Sequence, residues 1–441
     1  MSLTRLAILF GALVYTSALQ WVYPLILVPR FDYAGMTYRP QTLASLAGQF
    51  ALAWLPSLWL PKDLHRPSQY QVWILYLTVI VPSCILPFHV TALRSGSIFG
   101  FIALLLSCFA AMWAITAMRP LRMPLLSLSP IGYAILLSGI SLVTYGGLIY
   151  YRGLPALFLP IDQVYDLRTE LRATSIPLLL NYLLWWQGTV VNPIITSVGF
   201  ISRRPLLIIL GTLLQIQLYS ISSLRFFLAA AVFQIGIGIF MRLIRRRQGL
   251  WFLYAITGSV FVAVGWYFLD QHALGPLLLL DRWIFNAGQL SGYYLEFFSS
   301  HPPAGMTHSS IPPLQWLFPG PYDLPNGQVI GREYFPPLAD GAYTNATAHF
   351  WADALASFGT AGVVVASLVA AFLLRFTDSA CKGRNRQVAV MSFAIVGLSL
   401  TGQGVLTTLL TGGLAPFALL LALMPYLQEP HASRQRGTTR H

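Results

Sequence analysis

Charge is what this chain has least of. Only 9% of its 441 residues are Asp, Glu, Lys or Arg, where a soluble domain usually carries about 25%. So little charge cannot coat the surface of two or three soluble domains. Cysteine is scarce too: Cys84, Cys108 and Cys381 are too few and too scattered for a disulfide framework or a metal site. Lysine is nearly absent. No Gly-rich phosphate loop, nucleophile elbow, His-Glu-x-x-His or clustered Cys/His set occurs, so the familiar soluble-enzyme chemistries have no footing and no cofactor is implied. Internal repeats and low-complexity tracts are likewise missing.

What the chain has instead is apolar sequence, 56% of the total. A span needs roughly 20 apolar residues to cross about 30 Å of hydrocarbon. That rule predicts spans at 3–24, 42–60, 70–88, 98–118, 131–151, 176–198, 205–222, 224–241, 250–270, 346–374, 388–403 and 405–427. The stretches 205–241 and 388–427 are nearly continuous, and Ser222-Ser223 and Gly402-Gln403-Gly404 are their turn candidates. The first apolar run lacks a small-residue cleavage site and reads as a retained span. The fold class expected is an all-α polytopic membrane protein of about twelve transmembrane helices. Its parts are a bundle over 1–270, a large extracytoplasmic loop or cap over 271–345, C-terminal spans over 346–427 and a basic tail over 428–441.

The net charge of +13 sits in short clusters between apolar runs, not on one face or arm. This argues against a nucleic-acid partner and for anionic lipid headgroups. With both termini in the cytoplasm, eighteen Lys and Arg fall in inner segments and eight in the much longer outer ones, as the positive-inside rule requires.

Two outer segments stand apart. The first, 152–175, carries Asp162, Asp166, Arg168, Glu170 and Arg172. The second, 271–345, holds ten of the 29 prolines and many aromatics. There Leu290, Tyr293, Tyr294, Phe297 and Phe298 recur at helical spacing, which predicts a short helix lying on the bilayer surface. Arg168 and Arg172, four apart, would share one helix face. Arginine offers a planar fork to a phosphate and stays charged in any environment. With Arg282 these form an outward cationic set that positive-inside sorting selects against. The bland alternative pairs them with Asp166, Glu170 and Asp281 or with lipid phosphates. Candidate acids and bases are Glu296, His301, His308, Asp340, His349 and Asp353. A carboxylate in the first turns of a span, as Asp353 is, is costly to bury unless paired; the plain alternative is a helix-dipole partner. His349, four residues earlier, would lie on the same face.

Several stretches together resemble the Wzy-type oligosaccharide repeat-unit polymerases, which build O-antigen and related surface polysaccharides. The matching pieces are Val164-Tyr165-Asp166-Leu167-Arg168 with Arg172, Asn181-Tyr182 and Trp186 leading to Asn192-Pro193, and Arg282 ahead of Tyr294, Phe297 and Phe298. Then come Asn345-Ala346-Thr347-Ala348, Asp353, Phe358-Gly359-x-x-Gly362 and Leu410-Thr411-Gly412-Gly413. The resemblance runs in order from about 160 to 427. Two positions depart from the pattern: Arg225 stands where members carry Lys, and His349 where an apolar residue is expected.

The resemblance implies a multi-span glycosyltransferase of GT-C-like architecture in a bacterial inner membrane, its active site facing the periplasm. It would move a growing glycan from undecaprenyl pyrophosphate to a new lipid-linked repeat unit, without a metal. Donor and acceptor would both be undecaprenyl-pyrophosphate-linked oligosaccharides, and a chain-length regulator protein is a candidate partner. Arg168, Arg172 and Arg282 would hold pyrophosphate; Asp353, Glu296 or His349 would act as base; Tyr165, Tyr294 and Asn345 would touch substrate. Two other functions compete: a ligase that moves finished glycan to a core lipid, and a transporter or flippase of lipid-linked sugar.

Overall fold

Apolar sequence facing lipid must close its backbone hydrogen bonds within each segment, and a helix does so. The computed structural model describes residues 2–123, 126–154, 158–160, 176–270, 275–309, 311–337 and 343–425, and among these no strand occurs. In chain order the bundle comprises α1 Leu3–Phe31, α2 Leu43–Leu58, α3 Pro67–Val90, α4 Ser95–Ala117, α5 Pro130–Arg152, α6 over 178–202, α7 Pro205–Ser222, α8 Arg225–Leu243 and α9 Gln248–Leu269. Then follow α10 over 275–300, the short α11 Pro312–Leu317 and α12 Asn326–Tyr334. Finally come α13 Phe350–Ala380, α14 Arg386–Ser399 and α15 Val405–Leu423.

Nine of the described helices are long and apolar enough to cross a membrane. The twelve expected segments all contain helix, yet α2 and α14 are shorter apolar helices, α6 is continuous but is not among the nine, and α15 is interrupted by a turn over 410–413. The chain turns at Ser223, in the left-handed region at φ 56°, where the Ser222-Ser223 break was expected. Helix α14 stops at Ser399, earlier than hydropathy alone indicated, and an irregular segment containing Gly402 and Gly404 leads to α15.

Four five-residue π turns interrupt the described helices, at Tyr23–Leu27, Tyr76–Ile80, Gln187–Val191 and Asp281–Phe285. The first three are each followed, after one residue, by proline: Pro29, Pro82 and Pro193. Proline has no N–H, and its ring pushes on the carbonyl four residues back. That carbonyl lies inside the π turn each time, where the wider loop accommodates it. No proline explains the fourth turn, which carries Asp281 and Arg282.

Helix α3 is the wholly buried centre of the bundle. Along it runs α10, whose glycines permit close approach: Gly288 meets Pro82, and Gly292 meets Val90 and Pro87. The expected surface helix over 290–298 is therefore part of a longer helix within the bundle. Leu290, Tyr293, Tyr294 and Phe297 are all buried, because its small residues fit against α3. Elsewhere an uncharged network ties α5, α6 and α7: Gln187 donates to Ser141 and Asn192, and Asn192 donates to Gln215. Gln215 in turn donates to the Gly188 carbonyl inside a π turn (3.1 Å). Such interhelical bonds hold membrane helices together.

The largest departure from the hydropathy reading is in α13. Trp351 Nε1 donates to Ser367 Oγ at 2.7 Å, whereas sixteen residues of straight helix would separate them by about 24 Å. The helix is a hairpin. Its first arm, 350–357, reverses at Phe358-Gly359, where Gly359 has φ 65° and ψ −154°, a region open essentially to glycine alone. Gly362 then lies so close to the first arm that a Cβ would overlap the Ala354 carbonyl oxygen. Trp351 packs edge-on against Phe109 in α4 (6.3 Å), and Phe350 N–H reaches the Leu400 carbonyl. The first arm thus begins inside the bundle, and the extended segment 343–349 leads down to it.

Candidate functional site

The arm 350–357 is short, and its first amides need acceptors. His349 supplies one: its Nδ1 accepts from Ala352 N–H (3.3 Å). That leaves Nε2 to carry the proton and donate to Ser291 Oγ (2.6 Å), which also takes a bond from Ser83 Oγ (2.7 Å). With 0% exposure and both nitrogens taken, His349 is closed to a substrate; its place is at the helix cap. The polarity that stood out in the sequence is explained by the half-helix it starts.

Asp353, one turn on, is half-buried. Its Oδ1 accepts from Asn326 Nδ2 (3.2 Å), and the same amide nitrogen reaches Ser357 Oγ (3.2 Å). Its Oδ2 rests against Gly404, where a Cβ would overlap it. Among the described residues no donor is hydrogen-bonded to Oδ2. Tyr294, fully buried, lies within electrostatic reach of Asp353 and donates to the Ala346 carbonyl (3.0 Å). Asn345 is exposed, beside Gly327 at the start of α12. The loop before α12 covers the end of the arm: Ala304 N–H and Gly305 N–H donate to the carbonyls of Ala356 and Ser357, and Phe318 meets Phe358 edge-on (5.2 Å). A carboxylate with one oxygen held by Asn326 and the other packed against Gly404 without a donor can accept a proton from a hydroxyl brought to it.

Glu296 is held elsewhere. One oxygen accepts from Ala92 N–H (2.6 Å) and the other from the Tyr334 hydroxyl (3.2 Å). Burial and the Glu296 carboxylate hold the Tyr334 phenol well above its ordinary range, so it stays a donor. His301 stacks on Phe297 at 4.1 Å, and His308 bonds the Tyr322 carbonyl. Arg282 is largely exposed, with Nε 3.9 Å from Asp281 Oδ2. It precedes Tyr294 by twelve residues of helix, about 18 Å, so the structure does not bring it to Asp353. Arg168, Arg172, Tyr165, Asp340 and the basic tail lie outside the described residues. The described residues contain no group of three or more His, Cys, Asp or Glu able to hold a metal.

Sequence reasoning missed Asn326, Ser357 and Gly404. Asn326-Gly327 reads locally as a turn dipeptide, and nothing near it signals a carboxylate partner.

Asp281, on the same helix as Glu296, has Oδ1 buried without a partner and Oδ2 3.9 Å from Arg282 Nε.

These features are those of a polytopic helical membrane protein in which a short half-helix carries a hydrogen-bonded carboxylate. No family model, curated protein or solved structure matches the chain.

Proposed function

We propose that this chain is a Wzy-type polymerase that transfers glycan from undecaprenyl pyrophosphate to a lipid-linked repeat unit outside the cytoplasm. The observation that carries the reading is Asp353: a carboxylate fixed through one oxygen and without a hydrogen-bond donor at the other among the described residues, beneath the cap to which 301–309, 311–337 and 343–349 belong. In the proposed step the acceptor hydroxyl gives its proton to Asp353 Oδ2 while its oxygen bonds to the anomeric carbon. The bond from that carbon to the pyrophosphate oxygen breaks, and the electron pair leaves with the lipid pyrophosphate. Arginine stabilises the charge that grows there. Because Arg282 stands about 18 Å along α10 from Tyr294, the reading assigns the phosphate next to the reacting carbon to Arg168 and Arg172. Arg282 would meet the carrier farther off. GT-C-like architecture and the periplasmic orientation belong to the same proposal.

The test replaces each arginine with Ala and follows surface glycan on a gel. Arg168→Ala and Arg172→Ala should shorten the ladder severely, with rates down by about 10²-fold or more, and Arg282→Ala should do so less. A normal ladder from all three would defeat the pyrophosphate assignment.

One observation favours a second reading. The arm 350–357 starts inside the bundle, and α14 stops there too. Broken helices meeting at mid-depth are a transporter device, which supports a carrier of lipid-linked sugar. Purified protein in liposomes separates the two: a polymerase lengthens lipid-linked oligosaccharide, whereas a transporter moves it across without lengthening it.

A further inference from the structure

The sequence separates Asn326 from Asp353 by a turn, a helix and an extended segment, yet the two side chains meet at 3.2 Å. What brings them together is a tight dock. Gly327 and Gly331, one helical turn apart on α12, lie flat on the extended segment 344–347. The Gly327 carbonyl accepts from Ala346 N–H (2.9 Å). A Cβ at Gly327 would overlap Asn345 Oδ1, and one at Gly331 would overlap the Thr344 carbonyl oxygen. Side chains there would lift α12 off the segment and pull Asn326 from the half-helix. Within the half-helix, Ser357 follows Asp353 by one turn, so a single amide nitrogen bridges both. A carboxylate only accepts, so the Asn326 amide presents its NH₂ to Asp353.

We propose that Asn326 is a positioning residue for Asp353, clamping Oδ1 so that Oδ2 alone is presented to the acceptor hydroxyl. The inference rests on the polymerase reading for its meaning, but its geometry stands apart from it. The clamp belongs to the cap, and Asp353 belongs to the bundle. Seating of α12 on 344–347 therefore orients the carboxylate. Residues 95–117 of α4 and the segment 400–409 contain no charged side chain, and Glu296 on α10 is held by Ala92 N–H and the Tyr334 hydroxyl. Arg332, farther along α12, pairs with Asp323 (3.6 Å). Tyr294 is spent on the Ala346 carbonyl and His349 on the helix cap.

Two measurements on the purified full chain in detergent test the clamp. The first is infrared difference spectroscopy, wild type minus Asp353→Asn, which isolates the Asp353 carboxylate bands. In an Asn326→Ala background those bands should shift and broaden, because the carboxylate loses its amide donor. Bands that keep wild-type position and width would overturn the proposal, whatever happens to activity. Asn326→Ser, polar but too short to reach, carries the same expectation should the alanine variant not fold. The second is chain extension of lipid-linked repeat units extracted from the producing cells. Asn326→Ala should lower kcat by about 10- to 100-fold with KM little changed. A rise in KM with unchanged kcat would assign Asn326 to substrate binding and overturn the clamp. If the wild-type chain extends nothing, the polymerase reading fails, while the infrared bands still decide whether Asn326 orients Asp353.

Discussion

If the chain is the polymerase proposed, Asp353→Asn should abolish chain extension and leave single repeat units in place of a glycan ladder. The substitution keeps the size of the side chain and leaves an oxygen for the Asn326 amide to meet, so the arm 350–357 and its cap should persist. What it removes is the ability to take a proton at the open oxygen. General-base catalysis is worth about 10²–10⁴-fold, and loss of that order would leave no visible polymer. Membranes from cells carrying the variant should contain normal amounts of folded protein. A full ladder from that material would remove Asp353 from the reaction. The transporter reading gives a different outcome in the same cells, because a failed carrier would leave lipid-linked repeat units on the cytoplasmic side. The side on which units accumulate therefore distinguishes the two functions.

The second large effect is expected from a single methyl group. At Gly404 the backbone is extended, φ −62° and ψ 160°, so alanine meets no conformational barrier there. Its Cβ would nevertheless occupy the place of Asp353 Oδ2. The carboxylate is the far end of a side chain and can swing away, so the fold should tolerate Gly404→Ala. The cost falls on activity: a displacement of about 1 Å at a reacting group is worth about 10²-fold. The measurement pairs thermal unfolding with chain extension. The expected result is a near-native melting temperature with kcat/KM reduced by about 10²-fold. An active Gly404→Ala chain would mean that Oδ2 does not point at substrate. This variant also complements the alanine variant of Asn326, since one displaces Oδ2 and the other releases Oδ1.

Placing an acid beside a half-helix start has a cost that the rest of the structure offsets. One amide at the start of 350–357 would be orphaned in the bundle without His349, whose ring is fixed by Ser291 on α10, itself bonded to Ser83 on α3. The expectation that His349 was a base came from its nearness to Asp353 on one helix face. The nearness is real, but the imidazole is consumed in making that helix possible.

Read alone, the sequence determined that the chain is helical and membrane-embedded. Transfer of an apolar segment into hydrocarbon is a local free energy, summed residue by residue, and the turn at Ser223 is likewise a local preference. Only the tertiary structure decided that α13 doubles back at Gly359, since Phe358-Gly359 interrupts backbone geometry without interrupting hydropathy. It alone joined Asn326 to Asp353 and set Gly404 against the open oxygen. Those contacts depend on how closely distant segments approach, and that is set by glycines at crossing points, Gly327, Gly331, Gly362 and Gly404. A missing side chain leaves no mark on a hydropathy profile, which is why the apolar helices were legible and these contacts were not.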